Sequence, residues 1–302
     1  MVSPPRVVGI VGIGQLGLPV ATNLMAAGFD VVGYRRTAPE EFIHRGGRAL
    51  ESAKAVAREA NVVLLCLPSE DACLQALHGP AGVLNGIKSG QIVIELSTYR
   101  QAFKIQQAEA IHAAGGQVLE AEVSGSPALV LQRKAACYLG GSEALVQECM
   151  PVLQGITDRH FHIGEFGSAV KMKLIANYLL TIHTLAAAEA MNLATRAGFK
   201  PQQVAEVISQ GAGSSAMFVV RAPMMASRSF SPAPGPFHTL EKYLELGSEL
   251  VEQCDAAAPL FSAATPYFTR AIETGIGAED ISAVIKLLEE DSGKTASVKD
   301  QK

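Results

Sequence analysis

The segment GSAVKMKLIANYLL, residues 167–180, places two lysines in a stretch that is otherwise almost wholly apolar. An α-helix advances about 100° per residue, so Lys173 and Asn177 share one face, whereas Lys171 lies about 200° round from Lys173. Burying an ammonium and an amide without a polar ligand is costly, so we expect Lys173 and Asn177 to line a ligand-binding cleft. The alternative for Lys173 is a structural ion pair or a position at a helix end.

A glycine pattern near the N-terminus indicates a nucleotide site. Gly12-x-Gly14-x-x-Gly17 lies between a predicted strand and a predicted helix. Glycines permit a tight turn and close backbone approach, and a helix N-terminus offers free N–H groups to a pyrophosphate. A turn without a ligand is the alternative. We predict a dinucleotide site formed by Gly12, Ile13, Gly14, Gln15, Leu16 and Gly17.

The end of the second predicted strand indicates which dinucleotide binds. An NAD site usually has Asp or Glu there to accept hydrogen bonds from the ribose 2′-hydroxyl. This chain has Arg35, Arg36 and Thr37 at that place. Guanidinium groups suit the additional 2′-phosphate of NADP, so we predict that NADP is preferred over NAD. Two solvated surface arginines are the alternative.

The elements that must position these residues follow a two-part pattern. Short β-rich runs alternate with helical patterns, which predicts a parallel sheet covered by helices on both faces. This dinucleotide-binding domain of Rossmann type, doubly wound and of class α/β, is expected to span residues 1–164. An all-helical domain is expected over 165–302, joined to it by a long helix at about 166–197, with a frayed tail at 291–302. Further helices are predicted at 201–210, 239–254, 258–273 and 278–290, with a loop at 227–237.

Composition narrows the class of partner. The chain has 302 residues, a net charge of −4 and no cluster of Lys or Arg, which argues against nucleic acid and anionic membranes and favours a small-molecule substrate.

The five cysteines lack the spacing of a disulfide framework or a zinc site, so we expect a cytoplasmic location. The start of the chain lacks the pattern of a secretory signal. Residues 174–194 are interrupted by Asn177, His183 and Glu189 and are predicted to form a buried helix. His160 and His162 have no visible third ligand, so no metal is predicted.

Several segments together resemble the β-hydroxyacid dehydrogenase family, which includes 3-hydroxyisobutyrate dehydrogenase, tartronate semialdehyde reductase and glyoxylate/succinic semialdehyde reductase. They are the glycine turn, LPSE (67–70), ELST (95–98), LEAEVSGS (119–126), GEFGSAVKMKLIANYLL (164–180), and more loosely GAGSSAMFVVRAPMM (211–225) and AEDISAV (278–284). The resemblance covers nearly the whole chain. The family pattern G-x-x-G-x-x-x-x-x-K-L-x-x-N falls on Gly164, Gly167, Lys173 and Asn177, and so selects the same lysine as the helical spacing.

The resemblance implies roles for particular residues. Lys173 would exchange the hydroxyl proton of the substrate while hydride passes between the nicotinamide and the carbinol carbon. Partial burial should lower the pKa of this amine enough for that role. Asn177 would hold the substrate hydroxyl or Lys173 in register. Ser124, Gly125 and Ser126 would bind a carboxylate; Leu67, Pro68, Ser97, Thr98 and Lys242 would contact the cofactor. Family members are often dimers or tetramers, so a homodimer or homotetramer is expected.

The chain also departs from the family pattern. Glu122 replaces a proline two residues before Ser124, Tyr243 replaces the Asp of a Lys-Asp pair, and Ala169 replaces a glycine. Either Glu122 is paired elsewhere or the substrate is less anionic than is usual. Lys173 argues against an imine reductase of the same superfamily and against a dinucleotide-binding regulator without activity, and both remain alternatives. Ala176 argues against a 6-phosphogluconate dehydrogenase, which carries His there.

Overall fold

A computed structural model describes residues 7–293. The chain divides into two compact units between Lys173 and Leu174. Residues 294–302 of the predicted tail lie outside the described residues. The domain boundary expected after residue 164 falls just before the long helix and stays a prediction.

The first unit is built on a single eight-stranded sheet with the order β3-β2-β1-β4-β5-β6-β7-β8. Strands β1 to β6 are parallel, whereas β7 is antiparallel to β6 and β8 is parallel to β7. The prediction of a doubly wound sheet is confirmed, and it is mostly rather than wholly parallel. The strands are β1 Val7–Val11, β2 Asp30–Tyr34, β3 Arg48–Ala49, β4 Val62–Leu65, β5 Ile92–Glu95, β6 Gln117–Ser124, β7 Ala136–Gly140 and β8 Arg159–Gly164.

Helices cover both faces of this sheet. Successive side chains of a strand point to opposite faces, so Ile10 and Ile94 belong to one apolar core and Val11 and Val93 to the other. Strands buried on both faces are apolar throughout, as VVLL in β4 shows. The helices are α1 Gly17–Ala26, α2 Glu40–His44, α3 Ala53–Glu59, α4 Glu70–His78, α5 Gln101–Ala113, α6 Pro127–Leu131 and α7 Glu143–Ile156, with a 3₁₀ turn at Val83–Asn85.

The second unit contains only helices within residues 174–293, as predicted. Its core includes Phe218, Phe237, Leu240, Phe261 and Phe268. The helix at Ala216–Ser227 was not predicted from the sequence, and the single helix predicted at 278–290 divides into a 3₁₀ turn and a short α-helix. The elements are α8 Ser168–Arg196, which begins in the first unit, α9 Pro201–Ser209, α10 Ala216–Ser227, α11 Phe237–Gln253, α12 Pro259–Ala271, a π turn at Ile272–Ile276, a 3₁₀ turn at Ile281–Val284, and α13 Ile285–Asp291.

The long helix α8 is less buried than its sequence suggested. Among the described residues it is the only helix that is long and apolar enough to cross a membrane. Core helices of globular proteins can have the same length and composition. In its most apolar stretch of 18 residues, 33% is buried within the chain. Ile175, Leu179 and Leu193 keep large exposed fractions. Part of the helix therefore presents apolar side chains at the surface of the single chain.

Candidate active site

The segments predicted to bind cofactor and substrate follow five parallel strands, each at its carboxyl end. The glycine turn follows β1, Arg35 and Arg36 follow β2, and the remaining segments follow β4, β5 and β6. The register aligns Val11 with Leu65, Leu65 with Glu95 and Glu95 with Glu120. Strands β1, β4 and β5 therefore end at one edge of the sheet, and β6 continues past Glu120 to Ser124 at that same edge. Ligands of open α/β sheets bind outside this edge. The topology thus brings the predicted segments of the first unit together.

The three glycines of the turn meet different structural demands. Gly12 has a φ of +101°, and a Cβ there would collide with the backbone carbonyl oxygen of Cys66. A Cβ on Gly17 would collide with the carbonyl oxygen of Gly12. Around a Cβ on Gly14, in contrast, there is nothing within 4 Å. The fold therefore requires glycine at the first and third positions, while the second leaves open space beside the turn.

The start of α1 is suited to an anion. No side chain caps this helix, and no acidic residue lies in its first turn. The first N–H groups of a helix have no partner inside it and carry the positive end of the helix dipole. Together with the space at Gly14, this arrangement fits the pyrophosphate of a dinucleotide.

Beyond β2, the chain exposes the residues predicted to select the cofactor. Arg35, Arg36 and Thr37 are all exposed, immediately after Tyr34 at the end of the strand. Guanidinium groups in this position are accessible to a phosphate on the ribose. Their accessibility is what the predicted NADP site requires, and the cofactor preference stays a prediction.

Hydrogen bonds tie together the loops after β4 and β5. The Leu67 N–H donates to the Ser97 hydroxyl oxygen at 2.9 Å, and the Tyr99 hydroxyl donates to the Leu67 carbonyl at 3.1 Å. Thr98 is buried, and its hydroxyl donates to Glu122 Oε2 at 2.6 Å. Pro68 is exposed. Ser97 and Tyr99 therefore hold the backbone of the loop after β4 in place, and Thr98 ties the loop after β5 to β6. Pro68, at the outer edge of the first loop, remains accessible.

The segment after β6 combines a strand end, a glycine and a helix cap. Ser124 is half-buried, and a Cβ on Gly125 would lie 2.9 Å from the Ala135 Cβ. The Ser126 hydroxyl oxygen accepts from the Leu129 N–H at 3.4 Å, which caps α6. That hydroxyl still has its own hydrogen to donate. Ser126 thus has a structural role in addition to the carboxylate contact that the resemblance implies.

Lys173 contacts the strand immediately before this segment. Its side chain is 7% exposed, whereas Lys171 is exposed, as the helical spacing predicts. The Lys173 amine donates a hydrogen bond to the carbonyl oxygen of Val123, the residue before Ser124. Burial lowers the pKa of Lys173, and the nearby Glu122 carboxylate opposes that shift. A buried amine with a lowered pKa beside the Ser124 segment can exchange a proton with a bound substrate.

Glu122 is paired inside the protein. It is completely buried, and its Oε1 lies 2.5 Å from the Lys104 amine. Lys104 is also buried, lies 2.9 Å from Glu120 Oε1 and donates to the Ser97 carbonyl at 2.9 Å. Of the two alternatives raised by the sequence, the structure supports the first, in which Glu122 has a partner elsewhere.

Glu120 anchors the beginning of α8. Its Oε2 accepts from the N–H groups of Gly167 and Ala169 at 2.9 and 3.0 Å, and its Oε1 accepts from Val170 at 3.1 Å. A carboxylate at a helix N-terminus satisfies otherwise unpaired donors and is favoured by the helix dipole. Glu120 therefore fixes the turn of α8 that precedes Lys173.

Lys104 and Glu120 were not among the site residues predicted from the sequence. Lys104, Ala108 and Ile111 have the spacing of one helix face, and all three are buried. A lysine on the buried face of α5 needs a buried counter-charge, and Glu120 and Glu122 are acidic residues that alternate with apolar ones in the middle of β6. This pattern was the available signal.

Two predicted site residues lie in the second unit. Asn177 is half-buried on α8, and its backbone carbonyl accepts from Thr181. Lys242 is half-buried on α11, with its amine 5.3 Å from the centre of the Tyr243 ring. Their predicted contacts with substrate and cofactor stay predictions.

The described residues contain no group of three or more His, Cys, Asp or Glu that could hold a metal ion. The ring of His162 makes a 2.8 Å hydrogen bond with the Gly141 carbonyl.

Two family models match the chain. One is described as the NAD binding domain of 6-phosphogluconate dehydrogenase and matches residues 7–164. The other is described as NAD-binding of NADP-dependent 3-hydroxyisobutyrate dehydrogenase and matches residues 167–288. Together they span both units.

Similar proteins agree with these models. The 2-(hydroxymethyl)glutarate dehydrogenase of Eubacterium barkeri is 29% identical over 96% of this chain and 97% of its own length. Glyoxylate/succinic semialdehyde reductase 1 of Arabidopsis thaliana is 30% identical over 92% of this chain and 97% of its own. The crystal structure of a 3-hydroxyisobutyrate dehydrogenase from Salmonella typhimurium has a TM-score of 0.84 and 30% identity, covering 93% of this chain and 99% of that chain.

The fold, the glycine turn and these relatives define an NAD(P)-dependent oxidoreductase. More particularly, the chain belongs to the β-hydroxyacid dehydrogenase family.

Proposed function

We propose that the protein transfers a hydride between NADP and a small 3-hydroxy acid or the corresponding semialdehyde acid, with Lys173 as general acid and base. The observation that carries this proposal is the buried Lys173 amine, bonded to the Val123 carbonyl beside Ser124. The names of the relatives, which are dehydrogenases or reductases of hydroxy acids and semialdehydes, support the substrate class.

The residues of the chain have distinct tasks in this reaction. When bound, the dinucleotide supplies or accepts the hydride. In reduction, Lys173 donates a proton to the oxygen of the substrate carbonyl; in oxidation, its neutral amine takes the hydroxyl proton. The lowered pKa of Lys173 makes the neutral amine available at a lower pH than an ordinary lysine allows. Asn177 holds the substrate hydroxyl or Lys173 in register, and Ser124, Gly125 and Ser126 bind the substrate carboxylate.

NADP is the proposed cofactor because of the residues after β2. Arg35 and Arg36 are accessible and can grip the 2′-phosphate, and no carboxylate stands in their place. Lys242 and Asn177, on helices α11 and α8, complete the proposed set of cofactor- and substrate-binding residues.

A substrate panel tests the proposed reaction class. NADPH oxidation is followed with glyoxylate, succinic semialdehyde, tartronate semialdehyde, methylmalonate semialdehyde and a cyclic imine. We expect turnover with one or more of the aldehyde acids and none with the imine. Turnover of the imine alone favours the imine reductase alternative. Cofactor binding without turnover of any compound favours a non-catalytic regulator.

We further propose a homodimer or homotetramer in the cytoplasm. The second unit exposes large apolar side chains, among them Leu193, Phe199, Val207 and Leu260. A second copy of the chain could cover them. All five cysteines are free, which suits a reducing compartment. Light scattering coupled to size-exclusion chromatography tests the first proposal, since a monomer would contradict it, and cell fractionation tests the second.

A further inference from the structure

A buried cluster of charges lies directly behind the proposed site. Lys104 and Glu122 have no exposed side-chain surface, and neither does Glu120. Burying charges in a protein is expensive, and the cost is recovered only with good geometry and additional hydrogen bonds. The cluster has both, because Thr98 donates to Glu122 and Lys104 donates to the Ser97 carbonyl. Apolar side chains of similar size would fill the same space without that cost, so packing alone does not account for these charges.

The cluster connects three parts of the proposed site. Thr98 joins it to the loop after β5, and Glu120 joins it to the first turn of α8 through three backbone N–H groups. Glu122 is next to Val123, whose carbonyl accepts the hydrogen bond of the Lys173 amine. A displacement of β6 at Glu122 would therefore move the acceptor of Lys173 as well as the backbone that leads to Ser124.

The charges of the cluster also act on Lys173. The groups that act on its ammonium are Glu122 on β6, Cys137 and Tyr138 on β7, and Lys104 on α5. Among these charged partners the Glu122 carboxylate has the largest effect; it favours the protonated amine, and Lys104 disfavours it. Glu122 is consequently placed to act on Lys173 both through the strand backbone and through its charge.

We propose that the Lys104–Glu122 pair is a positioning device for Lys173, which fixes the strand carbonyl that the amine contacts and holds a carboxylate charge near it. Lys104 holds the Glu122 side chain in place, and the Glu122 carboxylate opposes the lowering of the Lys173 pKa by burial. Neither residue touches the substrate. This inference rests on the proposed role of Lys173 in proton transfer.

The test is the Glu122→Gln variant, which keeps the size of the side chain and removes its charge. The pKa of Lys173 is measured directly by NMR, from the 13Cε shift of labelled lysine assigned by its loss in Lys173→Ala. A nearby opposite charge typically shifts a pKa by about 1–3 units. We therefore expect the midpoint of the Lys173 titration to fall by about one pH unit in Glu122→Gln. The pH profile of kcat in the reductive direction should move to lower pH by the same amount, because Lys173 must be protonated there.

Glu109→Gln is the matched control. Glu109 is exposed on the same helix as Lys104, and the substitution changes the net charge equally. We expect it to leave the Lys173 midpoint and the pH profile unchanged. An unchanged Lys173 midpoint in folded Glu122→Gln, or an equal shift in Glu109→Gln, would overturn the proposal.

A second variant covers the case in which Glu122→Gln does not fold. In Lys104→Met/Glu122→Gln both charges of the pair are removed, while Glu120 keeps the hydrogen bonds that it accepts from three backbone N–H groups at the start of α8. Because the two charges act on Lys173 in opposite directions and Glu122 acts more strongly, we expect a smaller fall of the midpoint than in the single variant. An unchanged or raised midpoint in this variant contradicts the inference.

The NMR measurement also separates this inference from the proposed function. If Lys173→Ala retains turnover, the proton-transfer role is wrong, whatever the midpoint does in Glu122→Gln. If Lys173→Ala is inactive and the midpoint does not move in Glu122→Gln, the role of Lys173 stands and the positioning pair is wrong.

Discussion

The substitution Gly14→Ala separates the requirements of the fold from those of a bound dinucleotide. The added methyl group meets no atom within 4 Å, and Gly14 has no positive φ. Alanine at a compatible backbone position stabilises a protein by about 0.4–1 kcal/mol, so the Tm should stay the same or rise slightly. If a pyrophosphate approaches this backbone, the methyl group takes its place and disturbs a charge-assisted hydrogen bond worth about 1.5–3 kcal/mol. The Kd for NADPH should then rise roughly 10- to 150-fold.

The assay combines a fluorescence titration with NADPH and a thermal melt of the same samples. Gly12→Ala is the contrasting variant, because its methyl group collides with the Cys66 carbonyl at a φ of +101°. We expect a loss of at least about 3 kcal/mol of stability there, and a Tm lower by roughly 6–12 °C. Unchanged NADPH affinity in Gly14→Ala would refute the assignment of the turn to the pyrophosphate. A large loss of Tm in Gly14→Ala would refute the reasoning about open space.

Two further predictions concern cofactor choice and pH-dependent stability. Replacing both Arg35 and Arg36 with Ala should raise the Kd for NADPH at least about tenfold, because charge-assisted hydrogen bonds to the 2′-phosphate are lost. The Kd for NADH should change much less. Equal changes of the two Kd values in titrations would count against the preference for NADP. Burial raises the pKa of Glu95 from 4.5 to about 7. Between these two pH values the folded state binds more protons than the unfolded state, so Glu95 destabilises the fold increasingly as the pH rises. Glu95→Gln should therefore gain stability relative to the parent protein between pH 5 and pH 8, by on the order of 3 kcal/mol in denaturant titrations, and a gain that does not depend on pH contradicts the assignment.

Strand and helix periodicity was sufficient to predict most of the fold. The apolar strands β4 and β5 could be recognised because a strand covered on both faces has no polar alternation. The reversed direction of β7 and β8 could not be recognised, since an apolar run such as ACYLG does not indicate the direction of a strand. The helix α10 was missed because Pro223 and the preceding Gly- and Ser-rich stretch resemble a loop, and α8 was placed within two residues at its start.

The candidate site was predictable only in part. Helical spacing distinguished Lys173 from Lys171, and the structure buries the first and exposes the second. The partner of Glu122 was not found, because Lys104 and Glu122 are brought together by the packing of α5 on β6, at a distance along the chain that no local pattern records. Pairing across the core depends on tertiary structure, whereas helix faces depend only on local spacing.

The central claim is that the Lys173 amine transfers the substrate proton. The most direct measurement compares Lys173→Ala with Lys171→Ala, the exposed lysine two residues earlier, in NADPH binding and in turnover of the aldehyde acid selected by the panel. Loss of a general acid or base typically costs about 10²–10⁴ in rate. We expect Lys173→Ala to bind NADPH normally and lose turnover by that factor, with Lys171→Ala unchanged. Near-normal turnover in Lys173→Ala would contradict the account.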